Sequence, residues 1–169
     1  ENLRTSRFRN GELIPQFQVD SFYKKSQAQI SGYGLYNDNP GYNYPYGKLY
    51  NGYAMDDPRG VCPVGWHVPS VYEFRAMVDS LGGTSVAGGK IKTTDQWAAG
   101  STADNESGFS AYPTGYIAFD SSYAMGQATE FWTTTWPNFP NGDETFTAKL
   151  SNTNNGVSIP SFSANAGND

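Results

Sequence analysis

The sequence predicts a loop-rich α+β domain, and three observations carry that expectation. Only 37% of the 169 residues are hydrophobic and 16% charged, while Gly (19), Tyr (12), Phe (10) and Pro (10) take up the difference. One stretch, residues 71–81, has the full signature of a helix. Two others, 131–136 and 145–150, are β-rich and divided by a Pro/Asn/Gly turn.

The composition does not suit a helical bundle, which needs Ala, Leu, Glu and Lys, nor a disordered chain, which lacks aromatics. It suits short strands and turns held together by aromatic rings, each bringing a large apolar area and, for Tyr and Trp, a polar tip. The length fits one domain spanning 1–169, and a domain of this size buries roughly 70% of its unfolded surface.

The helix is fixed at both ends. Ser70 and Glu73 form an S-x-x-E capping box after Pro69, each side chain answering a backbone N–H of the first turn. Phe74, Met77, Val78 and Leu81 follow at helical spacing. Gly82-Gly83 closes the helix, because glycine takes the left-handed conformation without strain.

Elsewhere the signals are shorter. Asn10-Gly11, between Arg7-Phe8-Arg9 and Leu13-Ile14-Pro15, reads as a two-residue hairpin turn. Residues 21–60, rich in Tyr, Gly, Asn and Pro, read as a packed irregular segment. Gly88-Gly89-Lys90-Ile91-Lys92 and Gln96-Trp97 read as a short strand and loop, and 109–113 and 115–119 as two short strands. Residues 145–150 alternate as a strand with one buried face would. After Ser151 the tail is Asn- and Ser-rich, with Val157, Ile159 and Phe162 as its apolar contacts.

The net charge of −5 argues against nucleic acid, which requires clustered Lys and Arg; Arg4, Arg7, Arg9, Lys24 and Lys25 are too dispersed. No window approaches 18 apolar residues, so no membrane insertion is expected. The opening Glu1-Asn2-Leu3-Arg4 is not a signal peptide and reads as the start of a mature, trimmed or proteolytically released chain.

The run Gly60-Val61-Cys62-Pro63-Val64-Gly65-Trp66-His67-Val68-Pro69-Ser70, with Tyr46-Gly47-Lys48-Leu49-Tyr50-Asn51-Gly52-Tyr53-Ala54 before it, resembles the Fibrobacter succinogenes major paralogous domain family. Glu1-Asn2-Leu3-Arg4-Thr5, Leu81-Gly82-Gly83, Ala87–Lys92, Asn105–Ala111, Gly115-Tyr116 and Phe131–Thr134 extend the resemblance over nearly the whole chain. It implies a bacterial, extracellular, cell-surface domain of the C-type-lectin-like and formylglycine-generating-enzyme fold group. It also implies a strand before Glu1 and a final Cys-bearing strand after Asp169, so that Cys62 would form its disulfide with a partner outside this segment. That last strand lies beyond residue 169, has been removed by processing, or is supplied by a neighbouring subunit.

The candidates for chemistry are few. His67 is the only histidine and Cys62 the only cysteine, so neither a triad nor a zinc site can be assembled. The paired cysteines that the formylglycine-generating relatives use are likewise absent. The acidic pairs Asp56-Asp57, Asp104 with Glu106, and Asp143-Glu144 read as solvated loop residues, and no enzyme is expected.

Calcium-dependent sugar binding would use oxygen ligands on a loop and its strand. Trp136, Asn138, Asn141, Asp143 and Glu144 have the right residue types. They lack the Glu-Pro-Asn or Gln-Pro-Asp signature with a following Trp-Asn-Asp, so no cofactor is expected. Trp97, Trp136 and the Tyr33–Tyr53 cluster could stack on sugars, although most such rings would be core. The reading is a non-catalytic adhesion or recognition domain binding glycan or a surface protein through the loops around residues 120–145, which carry those five residues, and the polar tail. The alternative is a subunit of an extracellular filament, pairing with copies of itself or a neighbour through edge strands.

Overall fold

The computed structural model describes residues 2–100, 102–134 and 147–159. Their architecture is α+β and loop-rich, as expected. Helix α1 spans Val19–Gln27, α2 Gly52–Met55, α3 Val71–Ser80 and α4 Ala87–Ile91. Three small antiparallel sheets accompany them. Strand β1 (Tyr33–Gly34) pairs with β2 (Leu49–Tyr50), and β3 (Tyr116–Ala118) pairs with β4 (Ser121–Tyr123). Strands β5 (Ala128–Trp132), β6 (Thr147–Ser151) and β7 (Val157–Ser158) form the third sheet in that order.

The α3 signature is realised atom by atom. Ser70 Oγ accepts the Glu73 N–H at 3.2 Å, and Glu73 Oε2 accepts the Ser70 N–H at 2.8 Å. Gly82 and Gly83 sit at φ +105° and +91°, and the Gly83 N–H closes onto Val78 O at 3.0 Å. Val71, Phe74 and Val78 form the buried face, with Met77 and Leu81 partly buried beside them.

Two hydrophobic clusters hold the molecule. One joins Phe74 and Val78 of α3 to Ile91, Ala148, Leu150 and Val157, which places β6 and β7 against two helices. The other gathers Phe8, Ile14, Tyr33, Tyr50, Ala54 and Val61. They are stitched by Trp132, whose indole N–H donates to Tyr50 O at 2.9 Å across 82 residues of sequence.

Several local expectations are corrected. Residues 87–91, expected as strand and loop, are helical. The reason is tertiary. A Cβ at Gly88 would collide with the backbone carbonyls of Gly156 and, at 2.6 Å, Asn155, and the Gly89 N–H donates to Asn155 O. The glycines permit close packing of two backbones. The expected strand at 109–113 reduces to one parallel bridge, Ala111 to Lys92. The Asn10-Gly11 turn is a three-residue connection: Phe8 N–H donates to Glu12 O, Gly11 N–H to Phe8 O, and Gly11 alone takes positive φ (+90°). Helix α1 was not expected, and it lies in a segment read as irregular. Residues 137–142 and Phe162 lie outside the described residues.

Candidate recognition site

The five residues singled out for ligand binding, Trp136, Asn138, Asn141, Asp143 and Glu144, lie outside the described residues. The remaining candidates are placed, and most are structural. Trp97 is half-buried against the α3 cluster, donating its indole N–H to Ala111 O at 3.1 Å. Tyr33 and Tyr50 are buried in the second cluster, their rings 5.8 Å apart. Burial raises the pKa of both phenols.

The Cys62–Ser70 run is a surface loop held from behind. Arg9 donates Nε to Cys62 O at 3.2 Å and Nη2 to Trp66 O at 3.1 Å, and Trp66 N–H closes a turn onto Pro63 O. Trp66 is left 72% exposed. His67 is exposed and meets Glu73 Oε1 at 3.1 Å, so its partner is the same carboxylate that caps α3. Bonds from the Ser70 backbone, the Ser70 hydroxyl and His67 hold the Glu73 carboxyl below its usual range. The Cys62 thiol is half-buried and pushed up by that burial, with Arg9 pulling partly back. A thiol so placed is held away from the reactive thiolate form.

The paired carboxylates separate into individual roles. Asp57 is clamped by Arg59 and Ser31, which lower its pKa to about 2 against an opposing desolvation. The Arg59 guanidinium also lies 3.9 Å from the Phe8 ring centroid and meets Glu12 at 2.7 Å. Asp104 accepts the Glu106 N–H, and Glu106 pairs with Lys90 at 3.0 Å.

A face built by α1 and the β3–β4 hairpin meets the expected 120–145 loops at Asp120, Ser121 and Ser122, and its aromatic half was missed in the sequence. Val19 and Phe22 bury one side of α1, and Phe22 meets Phe17 edge-on at 6.1 Å. Ile117 of β3 packs inward onto Gly34 and Phe22, leaving no space for a Cβ on Gly34. Alternation along the strands then turns Tyr116 and Tyr123, a directly opposed and stacked pair, outward on the other side of the hairpin.

At the hairpin tip Phe119 is 66% exposed with φ +52°. This conformation is a genuine outlier for a bulky residue. Its ring meets Tyr23 of α1 at 5.4 Å, the planes inclined by 47°.

Beside this pair is an open cleft of about 400 Å³, lined by Val19, Asp20, Asn37, Asp38, Asp120, Ser121 and Ser122. Asp38 Oδ1 accepts the Val19 N–H at 2.9 Å, anchoring the start of α1. Ser122 Oγ accepts the Asn37 N–H at 3.0 Å, tying the hairpin to the 36–38 turn. The carboxylates do not converge as metal ligands would. Among the described residues no helix is long and apolar enough to cross a membrane.

Neither the curated proteins nor the solved structures contain a match to this chain. The family comparison is positive: the model described as the Fibrobacter succinogenes major domain matches residues 1–159, and the chain belongs to that family.

Proposed function

We propose that this is a non-catalytic recognition domain, displayed outside the cell, that binds glycan or surface protein. One observation carries the reading: the exposed Phe119 ring, held at φ +52° over Tyr23 beside a polar cleft. A large aromatic in that backbone conformation costs stability, on the order of 1–3 kcal/mol. A polar residue or glycine at the tip would avoid the cost. Strain of this kind gathers at binding sites, and aromatic rings beside a few polar groups are the usual make-up of one.

The lone thiol and histidine support the non-catalytic part, since each is engaged separately and neither faces the cleft lining. The filament alternative draws less support: the outer edge of β5 is partly taken, Ala128 O accepting the Gly115 N–H at 2.8 Å.

The test is a screen of the 169-residue chain against glycan and surface-protein arrays, repeated with Phe119→Asn. Asparagine tolerates the left-handed backbone, so the variant removes the ring without disturbing the turn. Binding that disappears in this variant supports the reading. No ligand on either array, or binding indifferent to Phe119, sinks it.

A further inference from the structure

We propose that the Tyr23–Phe119 face takes a glycan built of amino sugars carrying free ammonium groups. The proposal rests on the recognition reading above and adds the chemistry of the ligand. The aromatic pair is the platform. Both rings are substantially exposed, and the apolar C–H face of a sugar ring packs on such surfaces.

The charge around the platform selects among sugars. Asp20 lies one helical turn before Tyr23, and Asp120 follows Phe119 directly. Both line the adjoining cleft together with Asp38, and no Lys or Arg lines it. The cations of α1, Lys24 and Lys25, follow Tyr23 directly in the last turn of the helix, and neither lines the cleft. Asp38 is already engaged with the Val19 N–H, which leaves Asp20 and Asp120 as the carboxylates available to a ligand.

An ammonium group in the cleft forms charge-assisted bonds to carboxylate oxygens, while the sugar ring that carries it lies on the adjoining aromatic pair. Asn37, Ser121 and Ser122 supply neutral partners for the sugar hydroxyls. A uronic or sulfated glycan would bring like charge against the carboxylates, and an N-acetylated one would forgo the ion pair. A sugar answers the whole lining at once, its hydroxyls meeting Asn37, Ser121 and Ser122 and its ammonium the carboxylates, whereas a lysine side chain brings only a methylene stem and the ammonium.

Titration calorimetry of the 169-residue chain tests this, with oligomers of glucosamine, N-acetylglucosamine and galacturonate, and a lysine-rich peptide. The expected result is binding of the glucosamine oligomer at least about tenfold tighter than the other two glycans, as loss of a charged bond implies. Binding should weaken as salt rises and fall by about tenfold in Asp20→Asn/Asp120→Asn. That variant keeps the side-chain shapes, and its thermal unfolding reports whether it is folded. N-acetylated or acidic oligomers bound as tightly would overturn the charge selection while leaving recognition intact. The lysine-rich peptide binding while the glucosamine oligomer does not would overturn the glycan assignment. Absence of binding to every probe by the folded wild-type chain overturns the proposal, while a surface-array ligand lost in Phe119→Asn would still preserve the broader reading.

Discussion

Helix α3 and the β3–β4 hairpin are built by opposite rules. The capping positions of α3 are occupied by the residues that local physics prefers: Ser70 and Glu73 at the start, Gly82 and Gly83 at the finish. The hairpin places phenylalanine where glycine, asparagine or aspartate is favoured, and exposes it. Agreement across local and global preferences is how a chain specifies its fold, and departures from it gather where function is served. The α3 region therefore reads as scaffold and the hairpin tip as the place where stability is given up for a surface.

Four measurements test that contrast. The largest effect belongs to the scaffold. Phe74, buried in α3 with Phe109 and Phe131 around it at 6.4 and 6.1 Å, should cost about 3–5 kcal/mol on replacement by alanine. Denaturant unfolding reads that loss directly, and a change under about 1 kcal/mol would remove α3 from the scaffold role.

Next is Lys92, which is 0% exposed and donates Nζ to Ser151 O at 2.6 Å and Asn154 O at 2.7 Å, over the Trp97 ring. Burial pushes its pKa down from 10.5 to about 8. Below pH 8 the lysine is protonated in folded and unfolded chains alike. Between 8 and 10.5 the unfolded chain holds more protons, so this lysine makes stability rise with pH across that window. The Tyr50 phenol and the Cys62 thiol, both raised by burial, act in the opposite sense from about pH 10 and 9 respectively, so the Lys92 contribution is read cleanest between pH 8 and 9. Unfolding midpoints between pH 8 and 9 should therefore climb, and the climb should flatten in Lys92→Met; an unchanged slope in that variant refutes the assignment.

Ser70→Ala should cost about 1 kcal/mol by removing one half of the capping box. Smallest in size but opposite in sign, Phe119→Asn should stabilise by about 0.5–1 kcal/mol net, the relief of roughly 1–3 kcal/mol of backbone strain being partly offset by loss of the Tyr23 ring contact. Thermal scans of the two variants side by side give the comparison its sharpest form. If Phe119→Asn is destabilising, the ring is structural and the hairpin belongs with the scaffold.

What could be seen in the sequence follows from how local each cause is. Helix α3 was legible because its stop and start signals lie within 14 residues of chain. The α+β class and the β6 stretch were legible from composition and alternation, whereas the β-rich run expected at 131–136 shares only Phe131 and Trp132 with β5, which begins at Ala128. Helix α4 was not, because Gly88 and Gly89 answer to Asn155 and Gly156, far along the sequence. Helix α1 was not, since its N-cap Gln18 makes no side-chain cap and only Val19 and Phe22 are buried. The Tyr23–Phe119 face was hidden for a related reason: Phe119-Asp120 does not spell a turn. An unusual residue between two short alternating runs was the only available clue.

The Lys92 contacts carry a consequence for how the chain comes together. The ammonium of Lys92 donates to carbonyls 59 and 62 residues further on. The close seat for Gly88 likewise requires Asn155 and Gly156. During synthesis the middle of the chain must wait for residues near 157 before its central cluster can close. Distant pairings of this kind slow folding, and until they form, Lys92 and the apolar face of α3 stay in water. A ribosome-bound chain ending near residue 130 should accordingly be digested readily by protease, whereas one extended past residue 159 and clear of the exit tunnel should resist.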